Sequence, residues 1–143
     1  MCETYQTLAS ELLYVNEGLR QMPAEQQIAK LARGELFVLN YLLTHQYQAH
    51  PSDLSRHMVV STARVAALLN RMEEKKLIAR GPDPENRRQI IVRLLPQGTR
   101  AIQQIRTEVL DAVAGMLERL GPEDAKEYLR LQKKLLSAPL LLK

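Results

Sequence analysis

The chain is 143 residues long, with 45% hydrophobic and 25% charged residues, a formal net charge of +4 and a single cysteine. This length and balance predict one domain spanning residues 1–143 and argue against a disordered chain. A single cysteine rules out a disulfide framework within the chain. No apolar run reaches the length of a membrane span, and the first residues lack a basic segment followed by an apolar one. We therefore expect a cytoplasmic protein.

Two helices are predicted in the first third of the chain. The first should end near Met22 and Pro23, because proline cannot continue a helix. It carries an apolar stripe at helical spacing, formed by Leu8, Leu12, Val15 and Leu19. The second should begin near Gly34. Its apolar positions are Leu36, Phe37, Leu39 and Leu43.

The next segment predicts two short helices separated by a turn. The first runs from about Ser52 to Met58, with Pro51 suited to its first turn. Ser61 is a candidate cap for the second, because its hydroxyl can accept a hydrogen bond from a first-turn N–H. The second helix should bury the stripe Val65, Leu68, Leu69 and Met72. Its other face carries Thr62, Ala63, Arg64, Ala67, Asn70 and Arg71.

A basic β-hairpin is predicted after Lys76. Its strands are Leu77 to Arg80 and Arg88 to Leu94, joined by residues 81–87, which are dense in turn formers. The second strand alternates Ile90, Val92 and Leu94 against Gln89, Ile91 and Arg93. Two short helices followed by such a hairpin describe a winged helix-turn-helix, which places one helix in a DNA major groove and a hairpin against the neighbouring backbone or minor groove.

The last third of the chain is predicted to be helical. A long amphipathic helix should run from about Pro96 to Leu120, and Gly121 with Pro122 should end it and begin another. The stripe of the long helix is Ile102, Ile105, Val109, Val113, Met116 and Leu120. The last helix has apolar positions at Ala125, Leu129, Leu131, Leu135 and Leu136, followed by the apolar tail 138–142. These terminal apolar positions predict packing against a second copy; the alternative is that the terminal helices cover one another.

Positive charge is concentrated in the predicted winged helix. Residues 56–100 contain ten lysines and arginines against four acids, which gives +6 and leaves −2 for the remainder. Attraction to phosphate requires such a concentration. A charged hairpin alone is usually just solvated, but combined with this order of helices the charge favours DNA binding.

Residues 51–100 resemble the MarR family of bacterial transcription regulators. The family run of Leu-Ile-x-Arg, a basic wing and Leu-Thr-x-x-Gly is matched here by residues 77–80, 83–88 and 94–98. Three positions depart from it: Asn86 replaces an Asp in the wing, Lys76 replaces a Gly after the second helix, and Leu95 replaces a Thr. In the family the wing Asp is expected to orient an arginine two residues on, here Arg88, so we expect Asn86 to hold it less firmly. A Lys forced to positive φ at position 76 is penalised where Gly is not.

The resemblance implies a mainly α fold with a small β-hairpin wing and with N- and C-terminal dimerisation helices. Residues 34–98 would form the winged helix-turn-helix, and residues 1–33 and 99–143 the dimerisation helices. It further implies a homodimer that binds a pseudo-palindromic operator in double-stranded DNA, represses, and is released by a small-molecule effector.

Two sets of residues are the site candidates. The expected DNA contacts are Ser61, Thr62, Ala63, Arg64, Ala67, Arg71, Arg87 and Arg88. The family implies an effector site, for which the candidates are Tyr14, Phe37, Tyr41 and Tyr47. The alternative is that these four side chains are ordinary core and boundary aromatics. No catalytic triad, carboxylate pair or Gly-rich phosphate loop has a supporting context, so we expect neither an enzyme nor a cofactor.

The histidines and the cysteine suggest other interpretations of the function. His45, His50 and His57 are spaced so that no two share a helical face, which argues against a metal site, and His57 is expected to lie at the surface or to face phosphate. Cys2 could sense oxidants as in some MarR relatives, but a terminal thiol is more often incidental. The alternatives are therefore a redox- or metal-responsive regulator of the same fold, and a winged-helix module that binds a protein partner.

Overall fold

The structure, a computed structural model, describes the backbone of residues 2–137 and the side chains of residues 4–137. The apolar tail and the side chain of Cys2 lie outside this range. The elements in chain order are α1 (Cys2–Leu19), α2 (Pro23–Lys30), α3 (Gly34–Thr44), β1 (Gln48–Ala49), α4 (Pro51–Met58), α5 (Thr62–Glu74), β2 (Ile78–Pro82), β3 (Ile90–Leu94), α6 (Pro96–Glu118) and α7 (Pro122–Ser137). The predicted fold class is confirmed, and α2 and β1 are additions that the sequence did not predict.

The wing belongs to a three-stranded antiparallel sheet in the order β1-β3-β2. Ala49 pairs with Val92, and Ile78 pairs with Leu94. The predicted alternation along β3 is wrong at its wing end, where Ile90 is 52% exposed and Ile91 is 5% exposed. Ile90 pairs with Pro82 at the far end of the hairpin.

One core joins the helix-turn-helix to the sheet and to α6. All four residues of the predicted stripe of α5 are buried, as are Leu54 of α4 and Ile102 of α6. Burying an aliphatic side chain of this size contributes about 1.5–3 kcal/mol. The core therefore fixes α5 relative to both α4 and the strands, and only the opposite face of α5 reaches solvent.

Two helices, α4 and α5, are followed by a residue that has left-handed backbone but is not glycine. Val59 after α4 has φ 55°, and Lys76 after α5 has φ 62°. At the end of α5 the N–H of Leu77 donates to the carbonyl of Met72 and that of Lys76 to Glu73, both at 3.0 Å. This pair of hydrogen bonds requires positive φ at position 76, so this lysine adopts the backbone conformation that favours glycine.

The beginning of α6 is fixed by close contact with the end of α5. A Cβ on Gly98 would lie 2.2 Å from the carbonyl oxygen of Leu77, so any larger residue there would push α6 away. The N–H of Leu95 donates to the same carbonyl at 3.0 Å. Gly98 therefore holds the long helix against the winged helix.

The terminal helices bury little of their apolar surface within the chain. Among the described side chains of α1 and α7 none is buried, and only Asn16, Leu19 and Ala125 are even half-buried. The exposed large apolar residues of these two helices are Tyr5, Leu8, Leu12, Leu13, Tyr14, Val15, Tyr128, Leu129, Leu131, Leu135 and Leu136. Within residues 2–137 no helix combines the length and apolar character needed to cross a membrane.

Candidate nucleic-acid interface

The solvent face of α5 carries the residues expected to read bases. Ser61 caps the helix as predicted, its hydroxyl oxygen accepting from the N–H of Arg64 at 3.1 Å. Five further candidates are exposed on α5: Thr62, Ala63, Arg64, Ala67 and Arg71. The first turn presents small side chains beside one long arginine, so the backbone can approach a groove closely.

Arg80 joins the wing to α5. Its guanidinium donates to the Glu73 carboxylate at 2.9 Å and to the amide oxygen of Asn70 at 2.6 Å, and its backbone N–H donates to Glu73 at 3.1 Å. These hydrogen bonds from Arg80 lower the pKa of Glu73. The sequence motif contained this arginine, but only the fold shows that it bridges β2 and α5.

The wing loop is organised around Asp83, which is only 7% exposed. Its carboxylate accepts from the N–H of Glu85 at 2.9 Å and from Nε2 of His50 at 2.7 Å. Its own N–H donates to the carbonyl of Gln89 at 2.9 Å, which closes the loop. The hydrogen bond from His50 is the main reason that the pKa of Asp83 is lowered. We did not predict this role, although an acid among turn formers in a basic wing was a signal.

Arg87 and Arg88 are exposed on the wing, as predicted for residues that contact DNA. Within residues 4–137 neither guanidinium has a hydrogen bond or an ion pair. Asn86 does not orient the guanidinium of Arg88; its side-chain oxygen accepts from the backbone N–H of Arg88 at 3.3 Å. The position therefore shapes the turn, because an Asx oxygen naturally reaches an N–H two residues on.

Most of the positive charge in this region is free to meet an anion. Three of the ten cations of residues 56–100 are in ion pairs: Arg56 with Asp53, Lys75 with Glu35 and Arg80 with Glu73. Among the described side chains the other seven form none: Arg64, Arg71, Lys76, Arg87, Arg88, Arg93 and Arg100. The Lys75 and Arg80 pairs connect different parts of the fold and the Arg56 pair lies within α4, whereas four of the free cations are the expected DNA contacts.

The fold brings together only half of the expected effector site. The rings of Phe37 and Tyr41 stack with centroids 6.0 Å apart. Tyr14 is 79% exposed on α1, and Tyr47 is 46% exposed in the turn before β1. In the described part of the chain neither contacts the ring pair. A cavity of about 170 Å³ lies elsewhere, beside α5, where Arg33, Arg64 and Arg71 surround an apolar floor.

The tertiary structure also brings His45 and His57 close together, although they share no helical face in the sequence. The ring of His45 stacks on Tyr41 at 3.8 Å, and that of His57 lies 6.5 Å from His45. His57 is exposed, and its Nδ1 lies 2.8 Å from the carbonyl oxygen of Asp53. Within the described residues no group of three or more His, Cys, Asp and Glu side chains could hold a metal ion.

A sequence profile described as MarR family matches residues 30–89, which include α3, α4, α5, β2 and the wing loop. Over these residues the winged helix of this chain is similar to the MarR family. A solved MarR family protein from Bacillus stearothermophilus superposes with a TM-score of 0.73 and 24% identity over 94% of each chain.

Two other proteins resemble this chain. YsmB of Bacillus subtilis, an HTH-type transcriptional regulator, is 31% identical over 84 residues, which are 56% of this chain. The match spans 58% of YsmB, so less than two thirds of that protein is represented. BpsR of Bordetella bronchiseptica, whose DNA binding is regulated by 6-hydroxynicotinic acid, superposes with a TM-score of 0.63 and 22% identity over 90% of this chain and 93% of its own.

Proposed function

We propose that this protein is a DNA-binding transcription regulator that acts as a homodimer on a pseudo-palindromic operator. The observation that carries the proposal is that one folded unit presents two basic surfaces, the solvent face of α5 and the wing arginines. Among the described side chains, the arginines of both surfaces form no ion pair. Arg80 and Asp83 fix the second surface relative to the first. No catalytic role is proposed for any residue.

The residues divide by the part of DNA that each would meet. Thr62, Ala63, Arg64 and Ala67 would enter the major groove with the first half of α5. Arg71 and the capped end at Ser61 would meet phosphates. Arg87 and Arg88 would follow the backbone or enter the minor groove beside the wing. Phosphate contacts give affinity and salt dependence, and base contacts give sequence preference.

The exposed apolar faces of α1 and α7 support the homodimer. Chains rarely leave so many large apolar side chains in water unless they meet a partner. We propose residues 1–33 and 99–143 as the dimerisation helices, with Leu12, Leu19, Leu135 and Leu136 and the tail residues 140–142 at the interface. A twofold axis would place two α5 helices on half-sites about 34 Å apart.

Repression and release by an effector complete the proposal. Because both recognition helices must meet their grooves together, a small change in helix packing would mismatch both. Control of BpsR by a small acid supports an effector of this kind. The Phe37–Tyr41 pair and the arginine-lined cavity are its candidate positions.

Selection of bound duplexes from fragmented host DNA, followed by a salt series on the selected duplex, tests the proposal. We expect one pseudo-palindromic sequence to be enriched, and affinity to fall steeply with salt. Arg64→Ala should lower the salt slope or the sequence preference. Arg130→Ala, which removes a cation on α7 paired within its own helix, should change neither. Salt-independent binding, or no enrichment, would favour a module that binds proteins instead.

A further inference from the structure

The wing is attached to the helix-turn-helix at two places that differ in chemistry. The first is Arg80 on α5, whose guanidinium is permanently charged. The second is His50, which precedes α4 and whose Nε2 lies 2.7 Å from the carboxylate of Asp83. The Asp83 side chain is 10% exposed and that of His50 is 34% exposed, so the bond is partly shielded from water. Asp83 belongs to the same loop, residues 83–89, as both wing arginines.

The position of those arginines depends on Asp83 through the backbone. Asp83 closes residues 83–89 by its bond to Gln89 and its carboxylate holds the N–H of Glu85. Arg87 and Arg88 lie inside this closed loop, and in the described chain their guanidinium groups form no hydrogen bond or ion pair. Whatever holds the Asp83 carboxylate therefore also sets the angle at which both guanidinium groups leave the wing.

We infer that His50 is a positioning residue for DNA binding, which fixes the wing arginines relative to α5 through its bond to Asp83. This inference rests on the proposed DNA-binding function. His50 need not touch DNA for this role. An imidazole in place of an amide or hydroxyl makes the attachment sensitive to protonation, because an imidazolium donates a stronger, charge-assisted bond than a neutral ring.

The charges around His50 define the direction of that sensitivity. Asp83 faces it from the wing, and Asp53 faces it from α4 with its Oδ2 3.6 Å from Nδ1, while Arg56 pairs with Asp53. From the sheet, the exposed Arg93 lies in register with Gln48. The hydrogen bond to Asp83 is the largest cause of a raised pKa of His50. The attachment is therefore strongest below the ordinary imidazole pKa of about 6.5 and weakens as pH rises past the raised value.

The test is operator affinity from pH 6.0 to 8.5 at constant ionic strength, for the full-length protein and three variants. Wild type should lose about fivefold in affinity over this range, since charge-assisted bonds are roughly twice as strong as neutral ones. His50→Gln removes the titratable ring and keeps a neutral donor, so its profile should be flat. Asp83→Asn replaces the carboxylate by a neutral amide, so the gain from protonating His50 should be smaller and the profile shallower than that of wild type. His57→Gln is the matched control and should keep the wild-type profile, since the ring of His57 has no hydrogen bond to the wing: its Nδ1 lies 2.8 Å from the carbonyl oxygen of Asp53, and its ring lies beside that of Tyr41.

The results separate this inference from the function on which it rests. A wild-type pH profile in His50→Gln or in Asp83→Asn would overturn it. If wild type binds no duplex at any pH, the proposed function fails and the attachment is judged by NMR titration of the imidazoles in the free protein. There Asp83→Asn should lower the titration midpoint of His50; an unmoved His50 would overturn the attachment itself. Thermal unfolding of each variant verifies that it is folded.

Discussion

Replacing Lys76 by glycine should stabilise this protein although it removes a side chain. Lys76 has φ 62° and is exposed at the end of α5. An L-residue in this conformation is less stable than glycine by about 1–2 kcal/mol. Glycine has greater freedom in the unfolded chain, which offsets roughly 0.5–1 kcal/mol of that gain. Because the side chain of Lys76 has no partner in the described structure, nothing else is lost, and the net gain should be about 1 kcal/mol.

Urea unfolding of wild type and Lys76→Gly at fixed protein concentration measures this difference in the free energy of unfolding. In thermal unfolding the melting temperature should rise by about 2–4 °C. Fixed concentration matters because the stability of a dimer depends on it. Lys76→Ala is the matched control, as it removes the same charge but keeps a Cβ, and it should gain nothing. Equal stability of Lys76→Gly and wild type, or an equal gain in Lys76→Ala, would show that left-handed backbone at this position carries no strain.

Four further variants test the proposed DNA contacts and the proposed dimer. Arg64→Ala should weaken operator binding by about 1–3 kcal/mol and relax one position per half-site, measured by fluorescence anisotropy on single-base variants; a folded variant with unchanged affinity would remove Arg64 from the site. Truncation after Ser137 should weaken dimerisation and DNA binding together, and a truncated protein that sediments as the same dimer would show that the tail is dispensable. Asn86→Asp should firm the turn that holds the backbone of Arg88 and raise the ratio of operator to random-duplex affinity, whereas Arg88→Ala should lower both affinities; an unchanged or lower ratio would mean that the wing binds by charge alone.

The sequence alone predicted the parts of this fold whose signals are local. The stripe of α5 is set by helical period, and the cap at Ser61 by the chemistry of one hydroxyl three residues from the N–H that it meets. The strain expected at Lys76 came from comparing this lysine with the glycine that the family usually has at this position. Each of these depends on neighbours within a few residues, so each could be stated without knowing how the helices pack.

Tertiary structure alone decided how the two basic surfaces are joined. His50 and Asp83 are separated by 33 residues and Glu35 and Lys75 by 40, and no periodic pattern connects such positions. The burial of Ile91 and the exposure of Ile90 likewise depend on what packs against each face of the sheet. Hydrogen bonds and burial depend on distance in space, and the chain brings these groups together only after the core of α3, α5 and α6 has fixed the relative positions of elements that are far apart in sequence.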